Sequence, residues 1–289
     1  MTKCYVCGGR CEKDVIHGAY VYWKCTDCFT SQVLPQPSET ELRQYYDSFH
    51  LSETAGGVYD EVEDRMKEDF PAKTSKVFAH ALSGHLRLLD VGCGKGFFVK
   101  AALNAGVLAE GIDISRTGVE YAVRTLGVRA TLGRIEDQQQ WREAFDVVTF
   151  WATVEHLVDP LSILRVIHDV LKPGGFIFCD TGLGNCAFEH FLPGHNQWYD
   201  APQHVFVFSR GGLVTLLEKA GFEIIDVDTN YDRSSLRRYV RWIRHSALCL
   251  MGGLILIPLL GTRGFRKMRQ EAKWPIGRLI SVVAQKMEP

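Results

Sequence analysis

The sequence has no net charge to speak of. Its 33 Lys plus Arg and 34 Asp plus Glu leave −1 over 289 residues, so the overall balance singles out no polyanionic or polycationic partner. It shows no sign of wholesale disorder, because 46% hydrophobic and 23% charged residues lie in the ordinary globular range. Met1-Thr2-Lys3-Cys4 carries no apolar signal region, which points to a cytoplasmic chain. The nine cysteines are an odd number, which in such a chain argues against a disulfide framework. The uncharged run 246–262 has 17 residues; as a helix it would rise about 25 Å, short of the roughly 30 Å of a bilayer core.

What is there is unevenly distributed. Residues 231–274 hold ten basic and two acidic side chains, or +8, and the remainder is −9. Such a division predicts one cationic surface on an acidic body. The length fits one large domain with a small module attached.

The module is at the N-terminus. Cys4-x2-Cys7 and Cys25-x2-Cys28 are separated by 17 residues, the spacing of a four-cysteine zinc site. Two such knuckles fill a tetrahedral shell and leave no open position, so the expected Zn2+ is structural. The alternative is four buried or reactive cysteines without metal. Cys11 fits neither pair, and His17 is expected in a loop. Residues 20–23 read as a strand. After Leu34-Pro35-Gln36-Pro37, Ser38 and Glu41 form a capping-box pattern ahead of a helix. Residues 36–85 read as a mostly helical linker or cap over a substrate pocket.

From residue 86 short apolar runs alternate with amphipathic stretches. Strands are expected at 86–91, 108–112, 128–132, 145–150, 176–181 and 222–229, with helices at 97–105, 116–126, 160–171 and 210–220. This is the pattern of βαβ units and a parallel sheet. At the end of the first strand stands Asp90-Val91-Gly92-Cys93-Gly94-Lys95-Gly96. Gly92 and Gly94 permit a tight turn, and Gly96 opens a helix whose N-terminal amides are free. Asp113, at the end of the second strand, is placed to bind a ribose diol. The spacing is not that of a dinucleotide fingerprint, and Asp90 would repel a pyrophosphate. A cationic ribosyl ligand, S-adenosylmethionine, suits both carboxylates; turn glycines without a ligand are the alternative.

Together with Glu110-Gly111-Ile112-Asp113, Phe145-Asp146-Val147-Val148, Val154-Glu155-His156-Leu157-Val158-Asp159-Pro160 and Leu171-Lys172-Pro173-Gly174-Gly175, these motifs resemble the class I S-adenosylmethionine-dependent methyltransferases. The chain is most similar to members with an N-terminal four-cysteine ribbon and an Asp200-x-Pro202-x-His204 element. The resemblance implies an α/β fold with a Rossmann-like seven-stranded sheet whose last strand, near 278–286, runs antiparallel, so that 86–289 form one domain. It also implies that Asp90 and Gly92, Gly94 and Gly96 face the methionine part of the cofactor and that Asp113 binds its ribose. Ile114, with Glu136 or Asp137, would lie by the adenine, and Phe150 and Trp151 would pack on the cofactor.

Methyl transfer from a sulfonium is an in-line displacement, and a hydroxyl acceptor needs a base. His156 and His204 follow strands at their ligand-facing ends, although each could serve only to brace its loop. The connection 182–209 is long enough to build an acceptor pocket and carries His190, His195, Phe188, Phe191, Trp198, Tyr199 and Phe206. The insertion 231–274 begins as a basic amphipathic helix. It suits an anionic membrane surface, placing the chain at the inner membrane face, or packing across a homodimer. Basic residues interleaved with Leu and Ile argue against nucleic acid. The expected activity is methylation, most simply of oxygen, on a small or lipid-linked acceptor such as a glycan or quinone-like ring. Zinc-ribbon rRNA methylation and a non-catalytic adaptor stand as alternatives.

Overall fold

A computed structural model describes residues 2–38, 40–42, 44–45, 77, 86–186, 189, 196–229 and 279–287. The insertion 231–274, most of the 36–85 stretch, and Phe188, His190, Phe191 and His195 lie outside the described residues.

The body is a seven-stranded sheet of β4 (Arg87–Val91), β5 (Leu108–Asp113), β6 (Ala130–Leu132), β7 (Phe145–Trp151), β8 (Leu171–Gly182), β10 (Phe222–Asp228) and β11 (Leu279–Lys286), in the order β10-β11-β8-β7-β4-β5-β6. β11 is antiparallel to both neighbours, β8 and β10, whereas the β6-β5-β4-β7-β8 pairings are parallel. The strands of the sequence reading are present with shifted ends. β8 begins at Leu171, where the preceding helix was expected to finish, and β6 is shorter than 128–132.

Period-two alternation sends neighbouring residues to opposite faces of the sheet. Leu89, Val148, Ile177 and Cys179 join a core with α3 (Pro160–Val170) and α4 (Arg210–Lys219). Leu88, Val147 and Phe178 join a second core with α1 (Phe97–Asn104) and α2 (Arg116–Arg124). Helices thus cover both faces, which is why the strands read as nearly continuous apolar runs. Asp159, Ser115 and Ser209 cap α3, α2 and α4, each accepting a backbone N–H three residues on. The capping box is also present: Glu41 N donates to Ser38 Oγ at 3.2 Å and Ser38 N to Glu41 Oε2 at 2.7 Å.

The N-terminal ribbon is β1 (Cys11–His17), β2 (Tyr20–Cys25) and β3 (Ser31–Leu34). His17 is not in a loop; it ends β1 opposite Tyr20. The ribbon's sheet has a fourth strand, β9 (Phe206–Val207), from the body, with Ser31 opposite Val207 and Gln32 opposite Phe206. Its small core is shared in the same way: Tyr22 and Val33, both 0% exposed, pack with Tyr199, Ala201 and Val207. Further ties run from Tyr5 OH to Asp159, from Ser209 Oγ to Cys28 O, and from Lys219 Nζ to Val6 O at 2.5 Å.

A ribbon that shares strand and core with the body melts with it. Calorimetry should therefore show one cooperative transition, and Tyr22→Ala should lower the stability of the whole chain by about 3–5 kcal/mol, the usual loss for a large buried side chain. A separate ribbon transition in the intact protein would contradict this.

Candidate active site

Strand order reverses at β4, since β5 and β6 are added on one side and β7 and β8 on the other. The loops leaving the C-terminal ends of β4 and β7 lead to helices on opposite faces of the sheet, which is where open sheets of this kind bind their ligands. The β4 loop is wound tightly. Gly92, Gly94 and Gly96 have φ of +75°, +50° and +78°, the left-handed region open to glycine. A Cβ on Gly92 would stand 2.5 Å from Thr153 Cγ2, in the loop after β7, and one on Gly96 2.9 Å from Ala122 and Val128. Gly96 has no side-chain cap to offer the N-terminus of α1.

Asp113, at the end of β5, binds this loop: its Oδ2 accepts from Gly94 N at 2.8 Å and its Oδ1 from Ser115 N at 2.7 Å. Asp90, 2% exposed, accepts from Thr149 Oγ1 at 2.7 Å behind the loop. Two carboxylates, a helix N-terminus and a loop with glycine at alternate positions fit a ligand carrying both a cation and a diol, as S-adenosylmethionine does.

The other sequence-predicted positions differ in setting. Ile114 is 39% exposed beside Asp113. Glu136 pairs with Arg134 at 2.5 Å, and Asp137 is exposed on the same turn. Phe150 is fully buried in the α3/α4 core, so it supports the site from beneath. Trp151 packs on Phe98 of α1 at 4.9 Å between ring centroids.

After β7, Ala152 takes φ +48°, a conformation that costs a non-glycine residue of order 1 kcal/mol and needs support. Asp180 Oδ1 provides it, accepting from Ala152 N at 2.8 Å. The turn leads into the 3-10 segment Val154–His156. His156 and His204, 48 positions apart in the chain, meet with ring centroids 5.0 Å apart. His156 Nδ1 lies 2.7 Å from Gln203 O, and His204 Nδ1 3.0 Å from Trp198 O. A carbonyl only accepts, so each Nδ1 donates its proton there; the backbone at Ala152 is a further hydrogen-bond partner of the His156 ring. Burial pushes both pKa values down. His204 falls to about 3, with His156 beside it as a further cause. Trp198 flanks the pair at 5.2 Å from His204.

Among the described residues, two groups of potential metal ligands have their atoms within 4.8 Å of one another: the four cysteines, and Glu155 with His156 and His204. Glu155, 1% exposed, was not singled out from the sequence, although its place beside His156 was a signal. In the ribbon, Cys4 and Cys28 Sγ are 3.6 Å apart and Cys7 and Cys25 Sγ 3.4 Å. A tetrahedral ion with metal–sulfur bonds of about 2.3 Å needs about 3.8 Å. Amides of Gly9 and Asp27 point at Cys7 and Cys25 sulfur, each at 3.4 Å. Cys11 lies buried outside the four, its thiol raised to about 11 mainly by burial.

A family model described as a methyltransferase domain matches residues 62–227, more than half of the chain. Among curated relatives, the ubiquinone biosynthesis O-methyltransferase of Ruegeria pomeroyi is 33% identical over 184 residues, covering 53% of this chain and 73% of that protein. The enzyme of the same name from Cereibacter sphaeroides is 37% identical over 154 residues, covering 49% and 62%. In solved structures the fold recurs in phosphoethanolamine N-methyltransferase 2 of Haemonchus contortus in complex with S-adenosyl-L-methionine (TM-score 0.58, 16% identity, 95% of this chain and 71% of that one). It recurs again in the [4+2]-cyclase SpnF (TM-score 0.55, 23% identity, 89% and 99%). The last pair shows that this fold carries unlike reactions, so structural likeness supports architecture alone. The family model and the Ruegeria relative go further: the chain belongs to the methyltransferase-domain family and is an S-adenosylmethionine-dependent methyltransferase.

Proposed function

We propose that the chain methylates a hydroxyl oxygen on a quinone-like ring, with His156 as the general base. The observation that carries this reading is the histidine pair at the loop that follows β7, its rings 5.0 Å apart and each Nδ1 held on a backbone carbonyl. The names of the curated relatives support oxygen as the acceptor atom and a quinone-like ring as its carrier.

S-adenosylmethionine supplies an activated methyl group on a sulfonium. In this reading Asp113 holds the ribose diol, and Asp90 with the Gly92–Gly96 loop holds the cationic amino-acid end. Ile114, Glu136 and Asp137 border the adenine, with Phe150 and Trp151 as support. His156 takes the hydroxyl proton at Nε2. His204, with its lower pKa, is the weaker base, and it orients the acceptor and His156. Trp198 offers a flat apolar wall. Low water content favours a transition state in which positive charge disperses.

The four cysteines, we further propose, hold a structural Zn2+. Residues 1–35 are then the zinc module, 36–85 the linker or cap, and 86–289 the catalytic domain. The basic insertion 231–274 would dock on an anionic membrane at the inner face and bring a lipid-borne acceptor to the site. That reading rests on its +8 charge and apolar run. Among the described residues no helix is long and apolar enough to cross a membrane.

His156→Ala should lower kcat by about 10²–10⁴ while leaving S-adenosylmethionine affinity nearly unchanged; an unaltered kcat would remove the base. The deprotonated ring is the active form, and burial lowers its pKa from 6.5. Turnover should therefore be on its plateau at neutral pH and decline only as pH falls below 6.5, and a midpoint at or above that value would contradict the assignment. Protein purified without added metal should carry one equivalent of zinc. Well under one equivalent, with the fold intact after chelation, would sink the metal proposal.

A further inference from the structure

The described part of the acceptor connection is gathered on one carboxylate. Glu189 is 7% exposed, and its oxygens accept four hydrogen bonds. Oε1 receives Lys24 Nζ at 2.6 Å and Tyr199 OH at 2.9 Å; Oε2 receives Asn185 N at 2.8 Å and Asn196 Nδ2 at 3.3 Å. Asn185, Asn196 and Tyr199 belong to the connection between β8 and β9, and Lys24 belongs to β2 of the ribbon. A carboxylate this deeply buried needs its donors and a compensating cation, and the cation comes from the ribbon.

A second tie reaches the histidine pair. Tyr22, 0% exposed, donates its OH to His204 O at 2.6 Å and sets its ring edge on Tyr199 at 4.9 Å between centroids. The next carbonyl, Val205 O, accepts from Val33 N at 2.9 Å, and β9 follows in the ribbon's sheet. The backbone that carries His204 is thus fixed by β2 and β3 on one side. On the other, Gln203 O fixes the His156 ring.

We propose that the ribbon sets the acceptor site, with Glu189 and Tyr22 as positioning residues. Glu189 holds Asn185, Asn196 and Tyr199 against Lys24, and Tyr22 holds His204 and through it the His156–His204 pair. This rests on the reading that the pair faces the acceptor. The ribbon's function is then mechanical: it never touches the methyl group, yet it decides where the acceptor lies.

The test compares Glu189→Gln, Lys24→Met and Tyr22→Phe with the unaltered protein. Four properties are read: S-adenosylmethionine Kd by calorimetry, zinc content, kcat and KM on a geranyl-substituted catechol, and the ring nitrogen NMR signals of His156 and His204. Glu189→Gln and Lys24→Met should raise the catechol KM about tenfold or more, with cofactor Kd within about twofold and zinc unchanged. Tyr22→Phe should shift the ring signals, lower kcat and move the acid limb of the pH profile. Unchanged KM and unchanged ring signals would overturn the proposal. So would a parallel loss of cofactor and acceptor binding, which marks general loosening. If the unaltered protein does not turn over the catechol, the O-methylation reading fails. The ring signals then still decide positioning: a shift in Tyr22→Phe upholds it, and identical spectra overturn it. Should Glu189→Gln not fold, Lys24→Met, whose side chain is 25% exposed, retains the comparison.

Discussion

Between β4 and β7 the direction of winding reverses, and the two loops that leave those strands have to part. Parallel strands also align their C-terminal ends, so every loop with freedom to carry chemistry emerges at the same edge. The arrangement depends on that seam being tight. Beneath it, Asp90 and Thr149 hold the two strands together by a buried hydrogen bond, and Phe150 fills the core. Above it, Gly92 passes so close to Thr153 that no side chain fits. The cofactor loop and the histidine-bearing turn are thereby fixed against each other before any ligand binds. Such preorganisation suits methyl transfer, which has little covalent chemistry for the protein to perform and depends on alignment.

The ribbon extends this logic to the acceptor side. A connection as long as that between β8 and β9 would be costly to order by itself, because each residue placed in a single conformation loses about 1–2 kcal/mol of backbone entropy. The ribbon offsets this with a strand pairing, a shared apolar core around Tyr22 and Tyr199, and the part-buried Lys24–Glu189 pair. A small cysteine module has too little core to be stable alone. By leaning on the body it gains a core, and it ties down Asn185, Asn196 and Tyr199 of the connection through Glu189.

The legibility of this fold in its sequence follows the range of the interactions. Gly92, Gly94 and Gly96 were readable because positive φ demands glycine locally. The sheet was readable because strands covered on both faces are short apolar runs, as at Leu88 and Leu89, which enter the cores on opposite faces. The four cysteines were readable because a metal shell imposes spacing. By contrast, β9 is two residues long and its partner lies some 170 positions earlier, so no local pattern announces it. Lys24 and Glu189 are 165 positions apart, and each alone reads as a solvated surface charge. His17 was misplaced for the same reason: the strand it ends is held by pairing with Tyr20 rather than by its own propensities. Phe150 could have been separated from Trp151 by period two, since it shares a face with Val148.

The depressed histidine pKa values also discriminate between acceptors under the proposed reading. A base with a pKa no higher than 6.5 faces a gap of at least about 3.5 units to a ring hydroxyl near 10, or roughly 5 kcal/mol. An aliphatic hydroxyl is far less acidic than a phenol, so the gap to it is wider by several units. Proton removal that is only partial as the oxygen attacks can absorb the first gap; the second would consume most of what an enzyme contributes to a barrier of this kind. Desolvation is what weakens these bases, and the same desolvation favours the charge-dispersing transfer. A dry site with weak bases is therefore suited to an acceptor that is itself acidic, and this favours the ring over the glycan as the carrier of the hydroxyl.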